Sequence, residues 1–357
     1  MEGDVQPPRQ RTRIEDVAAA AGVSVATVSR ALRNLPNVAE TTRRRVIEIA
    51  EELNYRADPA AARLAAGRTR TITVVVPHLS SWYFSTVIAG AEAVCSEAGY
   101  ECLVLGVGTF EKCNQLLDEH SHFERRTDGL ILVNIPATAE QATSLRERRV
   151  RLATVGTRTP GCPSVWIDDV KTGRLATTHL LELGHRRIAL ISGQSDDPMN
   201  FDVPRQRRAG YVAALAEAGV EPEDSLMVSG NFGIDGGQEA MAALLALDDP
   251  PTAVFAMSDE MAFGALLELS ERDLRAGVDV SVIGVDDHDV SRVLRLTTVR
   301  HHVADHGSSA ARALLAQLQA PARRSRMPNH RSNSWSARRR GPTRRADSGR
   351  SASGDRS

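Results

Sequence analysis

The pattern of apolar and polar positions divides the chain into two regions. From Thr71 onwards, continuous apolar runs alternate with amphipathic stretches of helical spacing, which predicts parallel strands covered by helices on both faces. Strands are expected over residues 71–76, 101–107, 128–135, 151–156, 186–193, 226–232, 252–257 and 280–287. These are too many for one small sheet. The pattern therefore predicts an α/β fold with two lobes, and ligands in such folds bind at the carboxyl ends of strands, here in the cleft between the lobes.

Three short helices are predicted before that region. The first begins at a capping box formed by Thr12 and Glu15 and ends at Gly22. Ser24 is suited to cap the second helix, and a third is expected over residues 40–53. Short helices joined by a tight turn indicate a helix-turn-helix arrangement.

The second of these helices has two unlike faces. Val28, Ala31 and Leu32 share one face, as expected of core residues. The opposite face carries short side chains towards the N-terminal end of the helix and cationic side chains towards its C-terminal end. These residues are Ala26, Ser29, Arg30 and Arg33. The pattern indicates that something other than the protein core lies against this second face.

A separate short helix is predicted after the first three. Asp58 is a good N-cap, Pro59 fits the first helical position and Gly67 is a natural stop. The bracketed segment has about eight residues, fewer than the ~12–15 at which isolated helices become marginally stable. We expect it to be unfolded unless something packs on it.

The distribution of charge supports a polyanionic partner. The formal net charge of −1 conceals values of +3 for residues 1–70, −13 for residues 71–320 and +9 for residues 321–357. An acidic body with basic ends suggests that one end contacts a polyanion. No apolar run is long enough to cross a membrane, and the first ten residues have no apolar segment typical of an export signal, so a cytoplasmic protein with reduced thiols is expected.

Enzyme classes find little support in the sequence. No catalytic triad, metal-ligand cluster or phosphate-binding loop is evident, and the Gly-Val-Gly at residues 106–108 is too short for a nucleotide fingerprint. His301 and His302 are expected at exposed loop positions. We expect no cofactor and no catalytic activity. A solute-binding protein remains an alternative that the N-terminal helices and the missing signal peptide disfavour.

Together these motifs resemble one family. The stretch RIEDVAAAAGVSVATVSRALRNLPNVAETTRRRVIEIAEELNYRADPAAARLAAGRT is similar to the DNA-binding headpiece of the LacI/GalR family. TITVVVP, DGLILV, HLLELGHRRIALISG, PTAVFAMSDEMAFGAL, VSVIGVDD and LTTVR follow in the order of that family's core. The resemblance implies a headpiece at 12–57, a hinge helix and linker at 58–70, and a two-lobed effector-binding and dimerisation domain of the type I periplasmic-binding-protein fold at 71–320.

The resemblance also implies which residues contact DNA. Val25 and Ala26, just after Ser24, would face base edges in the major groove, and Arg30 would contact guanine, with which arginine can form a bidentate pair. Phosphate contacts and register are implied for Arg13, Thr27, Ser29, Arg33, Asn37 and Thr42. The spacing of Val25 to Val28 also suits simple packing, so that alternative stays open.

The short helix at the hinge has an implied role as well. Two copies would pair across a dimer axis near Ala61, and Leu64 would wedge into the minor groove and bend the operator. A plain linker helix, with Leu64 packed on the core, is the alternative. No leucine heptad follows the core, so a homodimer is expected.

An effector cavity is implied between the lobes. Its residues by resemblance are His78, Trp82, Tyr83, Phe84, Arg207, Phe232, Asp259 and Asp286. Aromatic faces with carboxylates and an arginine suit a neutral polyol better than a phosphate or a nucleobase, so the expected effector is a mono- or oligosaccharide. A non-sugar ligand and a corepressor remain alternatives.

The C-terminal residues 321–357 depart from the family. A final strand of the type P-x-E-L-V-V-R-x-S-T is expected there, but the chain is rich in arginine and serine. When HRSNSWSARRRGP (330–342) is back-translated with GC-rich codons and read one base earlier, it gives PVELVVRASTGP. We hypothesise a frameshift near residues 320–328. A disordered basic tail that adds phosphate affinity is the alternative.

Overall fold

The computed structural model describes residues 12–55, 69–118, 125–193 and 202–319. The predicted α/β fold is confirmed: three helices precede two parallel sheets of five strands each. The described residues contain two strands that the apolar pattern did not predict, Ser164–Val165 and Thr297–Arg300. Both lie at sheet edges, and they are too short or too polar to show a continuous apolar run.

The headpiece consists of α1 (Ile14–Ala21), α2 (Val25–Leu32) and α3 (Glu40–Glu52). Their apolar faces meet in a small core. Its buried residues are Val17, Ala18, Ala21, Val28, Ala31, Val46 and Ala50. Four of these seven are alanines, and because their side chains are short, the helix axes can approach closely.

The start of α1 differs from the predicted capping box. The N-cap is Arg13, one residue after Thr12, and its backbone N–H donates to Asp16 Oδ2 at 2.8 Å. An arginine side chain cannot accept a hydrogen bond, so only this half of a capping box is present. The hydroxyl of Thr12 instead donates to the carbonyl of Leu53 at 2.9 Å, and so joins the start of the headpiece to the end of α3. The prediction for Ser24 is confirmed, because its hydroxyl accepts from Thr27 N at 3.1 Å.

Lobe 1 has the strand order β2–β1–β3–β4–β5, with every neighbouring pair parallel. Its strands are β1 (Thr71–Val76), β2 (Glu101–Gly106), β3 (Gly129–Val133), β4 (Arg151–Val155) and β5 (Ser164–Val165). Its helices are α4 (Trp82–Glu97), α5 (Phe110–Leu117), α6 (Ala139–Glu147) and α11 (Val303–Gln319). Ile72 and Val74 pack on one face of the sheet and Val75 packs on the other, which explains why β1 is apolar throughout.

Lobe 2 has the strand order β10–β9–β8–β6–β7, again all parallel. Its strands are β6 (Ile188–Ser192), β7 (Met227–Ser229), β8 (Ala253–Ala256), β9 (Ser281–Asp286) and β10 (Thr297–Arg300). Its helices are α7 (Asp169–Glu182), α8 (Val203–Glu217), α9 (Ile234–Leu245) and α10 (Asp259–Glu271). The largest fully buried side chain is Tyr211, whose hydroxyl donates to the carbonyl of Ile188 at 2.7 Å.

The described chain crosses between the lobes twice. It passes from β5 to α7 through residues 166–168, and from β10 to α11 through residues 301–302. Helix α11 therefore packs in lobe 1 against α4, where Gly90 and Gly307 allow a close approach: a Cβ at Gly307 would lie 1.9 Å from the carbonyl oxygen of Val87. The final strand that the resemblance implies within residues 321–357 lies outside the described residues.

Candidate functional site

The outer face of α2 is open to solvent, as the sequence predicts for a face that meets a partner. Ala26, Arg30 and Arg33 are exposed, and Ser29 is half-buried. Val25 is 40% exposed, whereas Val28 is fully buried. Val25 is thus not a core residue within the headpiece, and the packing alternative for this side chain loses its support.

The turn after α2 is held in place by Arg43 on α3. Its guanidinium donates to the carbonyls of Ala31 at 3.1 Å and Leu35 at 2.8 Å. Asn37, in the same turn, has a φ of 68°, a left-handed conformation that asparagine tolerates. The turn therefore presents Asn37, which is exposed, in a fixed backbone conformation next to α3.

The remaining predicted DNA contacts lie in two places. Arg13 is exposed at the start of α1 and Thr42 is half-buried in the first turn of α3. Ala61 and Leu64 lie outside the described residues, so their predicted pairing and wedging stay predictions.

A cavity of about 290 Å³ lies between the two lobes. It is at the carboxyl ends of the strands, where the fold was expected to place a ligand. Six of the eight residues predicted for the effector site line it: His78, Tyr83, Phe84, Arg207, Phe232 and Asp286. The cavity therefore lies in the cleft that the sequence predicted, and the binding of an effector by these six residues stays a prediction.

The centre of the wall is an ion pair between Arg207 on α8 and Asp169 at the start of α7. The guanidinium Nε lies 2.8 Å from Asp169 Oδ1, and both side chains are 5% exposed. Arg207 also donates to the carbonyl of Met257. Burial by itself would lower the pKa of Arg207, but the charges of Asp169 and Asp286 outweigh that effect and raise it. The guanidinium is therefore a fixed cation in the cavity wall.

A second carboxylate, Asp286, faces the cavity from the end of β9. It is 8% exposed and has a φ of 117°, which is unusual for a residue with a side chain. His301 Nδ1 lies 3.5 Å from its Oδ1, while His301 Nε2 is 3.1 Å from the hydroxyl of Thr172. The pKa of Tyr83 is raised by burial and then by the negative charge of Asp286.

His301 departs from its prediction. The residue was expected at an exposed loop position, but its side chain is 8% exposed in the crossover between β10 and α11. His302, the next residue, is exposed as predicted. The contacts of His301 with Thr172 and Asp286 therefore pack this crossover against lobe 2.

An aromatic side chain closes one side of the cavity. Phe232 has a φ of 56°, and its ring lies over Gly193 at the end of β6, where a Cβ would come within 2.1 Å of the ring. Asn134, after β3, also lines the cavity. Within the described residues, its buried Oδ1 has no hydrogen-bond partner.

Two predicted effector contacts lie outside the cavity wall. Asp259 was expected to accept from a ligand, but Oδ2 accepts from Ser291 Oγ at 2.7 Å and His288 N at 2.8 Å, and Oδ1 accepts from Thr298 Oγ1 at 2.7 Å. Asp259 therefore holds the loop after β9 within lobe 2. Burial raises its pKa to about 6, although these hydrogen bonds act in the opposite direction.

Trp82 is the other predicted contact that is not part of the wall. Its ring lies against His288 of lobe 2, with centroids 4.5 Å apart. The tryptophan thus contacts the opposite lobe instead of the cavity.

Several lining residues were not predicted from the sequence. They are Ser80, Ser81, Asn134, Gly156, Ile167, Asp169, Val203, Asn231, Gly233, Ser258 and Glu260. Asn134, Gly156 and Ser258 follow β3, β4 and β8 within two residues, so the rule that ligands bind at carboxyl ends of strands could have identified them. Asp169 and Glu260 lie at helix starts, where a carboxylate is usually read as a cap.

In the part of the chain that the structure describes, no helix has the length and apolarity that a bilayer span requires. Nor do the described histidine, cysteine and acidic residues come together in a group that could hold a metal ion.

An exposed cationic helix in a helix-turn-helix, followed by two lobes around a polar cavity, defines the class of ligand-responsive DNA-binding regulators. Residues 13–58 match the family of bacterial regulatory proteins of the lacI type, and residues 177–339 match a periplasmic binding protein-like domain. The chain is 33% identical over 305 residues to catabolite control protein A of Priestia megaterium, covering 84% of this chain and 91% of that protein. The chain belongs to the LacI family of transcriptional regulators, and it is not an enzyme.

Solved structures show the same relationship. The Lac repressor dimer bound to operator and the anti-inducer ONPF has a TM-score of 0.72 and 28% identity, over 87% of this chain and 94% of that one. The complex of the transcriptional regulator CelR with cellobiose has a TM-score of 0.60 and 31% identity, over 86% of this chain and 93% of that one. The resemblance inferred from the sequence motifs is confirmed.

Proposed function

We propose that this chain is a cytoplasmic repressor that binds inverted-repeat operators as a homodimer and responds to a saccharide. The observation that carries the proposal is the outer face of α2, which presents small and cationic side chains to solvent on a helix whose other face is buried. In this arrangement Val25 and Ala26 contact base edges, with Ser24 beside them at the DNA, and Arg30 pairs with guanine. Thr27 and the other residues predicted to contact phosphates fix the register.

In this proposal each predicted domain has its own role. Residues 12–57 bind the operator and residues 58–70 form the hinge, in which Leu64 enters the minor groove next to Ala61. Residues 71–320 bind the effector and dimerise. Residues 321–357 are the product of a frameshift or a basic tail, and the nucleotide sequence decides between them: an adjacent reading frame without E-L-V-V-R-x-S rules out the frameshift.

The chemistry of the cavity supports a saccharide as effector. Tyr83, Phe84 and Phe232 offer aromatic faces, and serine and asparagine side chains offer donors and acceptors. The charged lining residues are one arginine and three carboxylates, a formal charge of −2. A phosphate group would meet net repulsion there, whereas the hydroxyl groups of a sugar can donate to the carboxylates. The CelR–cellobiose complex is a structural neighbour whose ligand is of this class.

The proposed switch is the release of operator when a sugar stabilises one arrangement of the lobes. A ligand changes operator affinity only as far as it prefers one arrangement to the other. Corepression, in which the sugar tightens operator binding, is the second outcome that the same measurement would reveal.

The test is a gel-shift titration on the inverted repeats upstream of this gene, at two salt concentrations, with and without a panel of neutral mono- and disaccharides. We expect a sequence-specific, salt-sensitive shift that the Arg30→Ala variant weakens at least tenfold. Arg292→Ala, an exposed arginine of lobe 2, is the matched control and should bind as the wild type does. Binding that does not distinguish the repeats from random DNA would refute the proposal.

A further inference from the structure

The carboxylate of Glu260 joins the two lobes at the edge of the cavity. Glu260 is in the first turn of α10 in lobe 2, and its Oε2 accepts from Ser81 Oγ at 3.2 Å. Its Oε1 lies 3.5 Å from the backbone N of Trp82. Ser81 is the N-cap of α4 in lobe 1, and both Ser81 and Glu260 line the cavity.

This contact supplies what the start of α4 otherwise lacks. The hydroxyl of Ser81 accepts no hydrogen bond from the first turn of its own helix. The first N–H groups of a helix have no partner within the helix and carry partial positive charge, so an anion near them is stabilising. Here the anion comes from the other lobe. The cap of α4 therefore exists only while the lobes hold this arrangement.

An aromatic contact lies beside the carboxylate. The ring of Trp82 lies 4.5 Å from that of His288, tilted by 31°, and His288 meets Phe263 edge-on at 5.1 Å. His288 and Phe263 belong to lobe 2, whereas Trp82 belongs to lobe 1. Two adjacent residues of lobe 1, Ser81 and Trp82, thus make a polar and an aromatic contact with the opposite lobe.

Glu260 depends on these partners because it is partly desolvated. Burial raises its pKa, Asp286 raises it further, and the hydrogen bonds from Trp82 and Ser81 lower it. A carboxylate removed from water is costly unless donors replace the water. If the lobes separate, Glu260 loses both donors from lobe 1.

We propose that Glu260 couples the arrangement of the lobes to operator affinity, because the start of α4 and a ligand in the cavity share its carboxylate. This inference rests on the proposed effector site. A carboxylate has about four acceptor positions, of which lobe 1 uses two, so positions remain for ligand hydroxyl groups on the cavity side. A sugar bound there stabilises the arrangement in which α4 is capped, and that arrangement is the one that releases the operator.

The first measurement needs no effector. In a Trp166→Phe/Trp335→Phe background Trp82 is the remaining tryptophan of the chain, and acrylamide quenching of its fluorescence reports its contact with lobe 2. We expect Glu260→Gln to raise the quenching constant at least twofold, Ser81→Ala to raise it similarly, and the double variant to add little. Glu239→Gln, an exposed glutamate of α9, should leave it unchanged.

The second measurement is operator affinity of the same variants in the absence of sugar. Glu260→Gln and Ser81→Ala should each bind operator at least threefold more tightly than the background protein, and Glu239→Gln should not. Unchanged quenching, strictly additive effects, or unchanged or weaker operator binding would each overturn the proposal. If Glu260→Gln does not fold, Ser81→Ala alone carries the test.

The two proposals fail in different ways. A background protein that binds no inverted repeat would refute the proposed function, while the quenching data would still decide whether Glu260 joins the lobes. Specific operator binding that is indifferent to Glu260 and Ser81 would refute only the coupling.

Discussion

The guanidinium of Arg207 and the carboxylate of Asp169 form a buried ion pair, with Nε 2.8 Å from Oδ1, that joins helices α8 and α7 in the wall of the cavity. Removing one member of a buried pair leaves an uncompensated charge, which costs about 3–5 kcal/mol. We expect Asp169→Asn to lower the free energy of unfolding of the core by about that amount, because the guanidinium would lose its nearest anion. Urea denaturation followed by circular dichroism measures the change.

The control for that prediction is Glu217→Gln. Glu217 accepts from Arg174 at 2.7 Å, but both side chains are more than half exposed. Exposed pairs contribute ~0–1 kcal/mol, so this variant should unfold close to the wild type. Equal losses in both variants would contradict the role given to the buried pair.

The second prediction concerns Gly193, over which the ring of Phe232 lies. A Cβ at Gly193 would come within 2.1 Å of the ring, so Gly193→Ala must displace Phe232. We expect this variant to bind operator normally and to lose at least tenfold in affinity for any sugar that binds the wild type, as isothermal titration calorimetry would show. Gly219→Ala is the control. Gly219 has a φ of 69° and no atoms near an added Cβ, so this variant strains the backbone without displacing a neighbouring side chain. Equal sugar affinity in Gly193→Ala and the wild type would be incompatible with an aromatic wall at this position.

The third prediction concerns the pH dependence of stability through Asp259. Its pKa in the folded chain is about 6, above its ordinary value of 3.8, so the folded state holds the proton more tightly than the unfolded state. This contribution to stability is complete below pH 3.8 and is lost as the pH rises through 6. By the constant of ~1.4 kcal/mol per pKa unit, the loss is about 3 kcal/mol.

The measurement compares the wild type with Asp259→Asn, whose side chain does not titrate. The difference in unfolding free energy between the two proteins should shift in favour of the variant between pH 4 and pH 7. Parallel pH profiles for the two proteins would show that Asp259 keeps an ordinary pKa.

The fourth prediction uses the contact between Trp82 and His288. Burial lowers the pKa of His288, while Asp289 and Asp286 act in the opposite direction. A protonated imidazole quenches a tryptophan against which it lies, so the fluorescence of Trp82 in the Trp166→Phe/Trp335→Phe background should fall on acidification. The midpoint should lie below the ordinary histidine pKa of 6.5, and His288→Gln should abolish the step. A midpoint above 6.5, or a step that survives in His288→Gln, would contradict the stacked arrangement.

The sequence predicted what depends on local periodicity. The two faces of α2 follow from the helical period of 3.6 residues, and the strands of both sheets follow from continuous apolar runs; both signals operate within one element. Strand β10 was missed because Thr297–Arg300 is a sheet edge whose pairing partner, β9, is not visible in its own composition.

The side-chain directions at the cavity could not be predicted in the same way. Asp259 and Glu260 are adjacent at the start of α10, and motif comparison favoured Asp259. In the structure Asp259 points to Ser291 and Thr298, while Glu260 faces the cavity and lobe 1. One residue along a helix rotates the side chain by about 100°, and which of two carboxylates meets the cleft depends on where the second lobe lies. That is a tertiary property.

The packing of α11 in lobe 1 also bears on the order in which the protein can be assembled. Residues 169–300 form all the described strands and helices of lobe 2, whereas lobe 1 is interrupted and needs Val303–Gln319 to cover β3 and β4. During synthesis lobe 2 can thus fold while lobe 1 is still incomplete. One apolar face of the lobe 1 sheet stays exposed until α11 is synthesised, more than 130 residues after β5. A chain that terminates before residue 303 would carry the complete headpiece but an incomplete lobe 1. Such a chain would be prone to aggregation and to degradation by proteases.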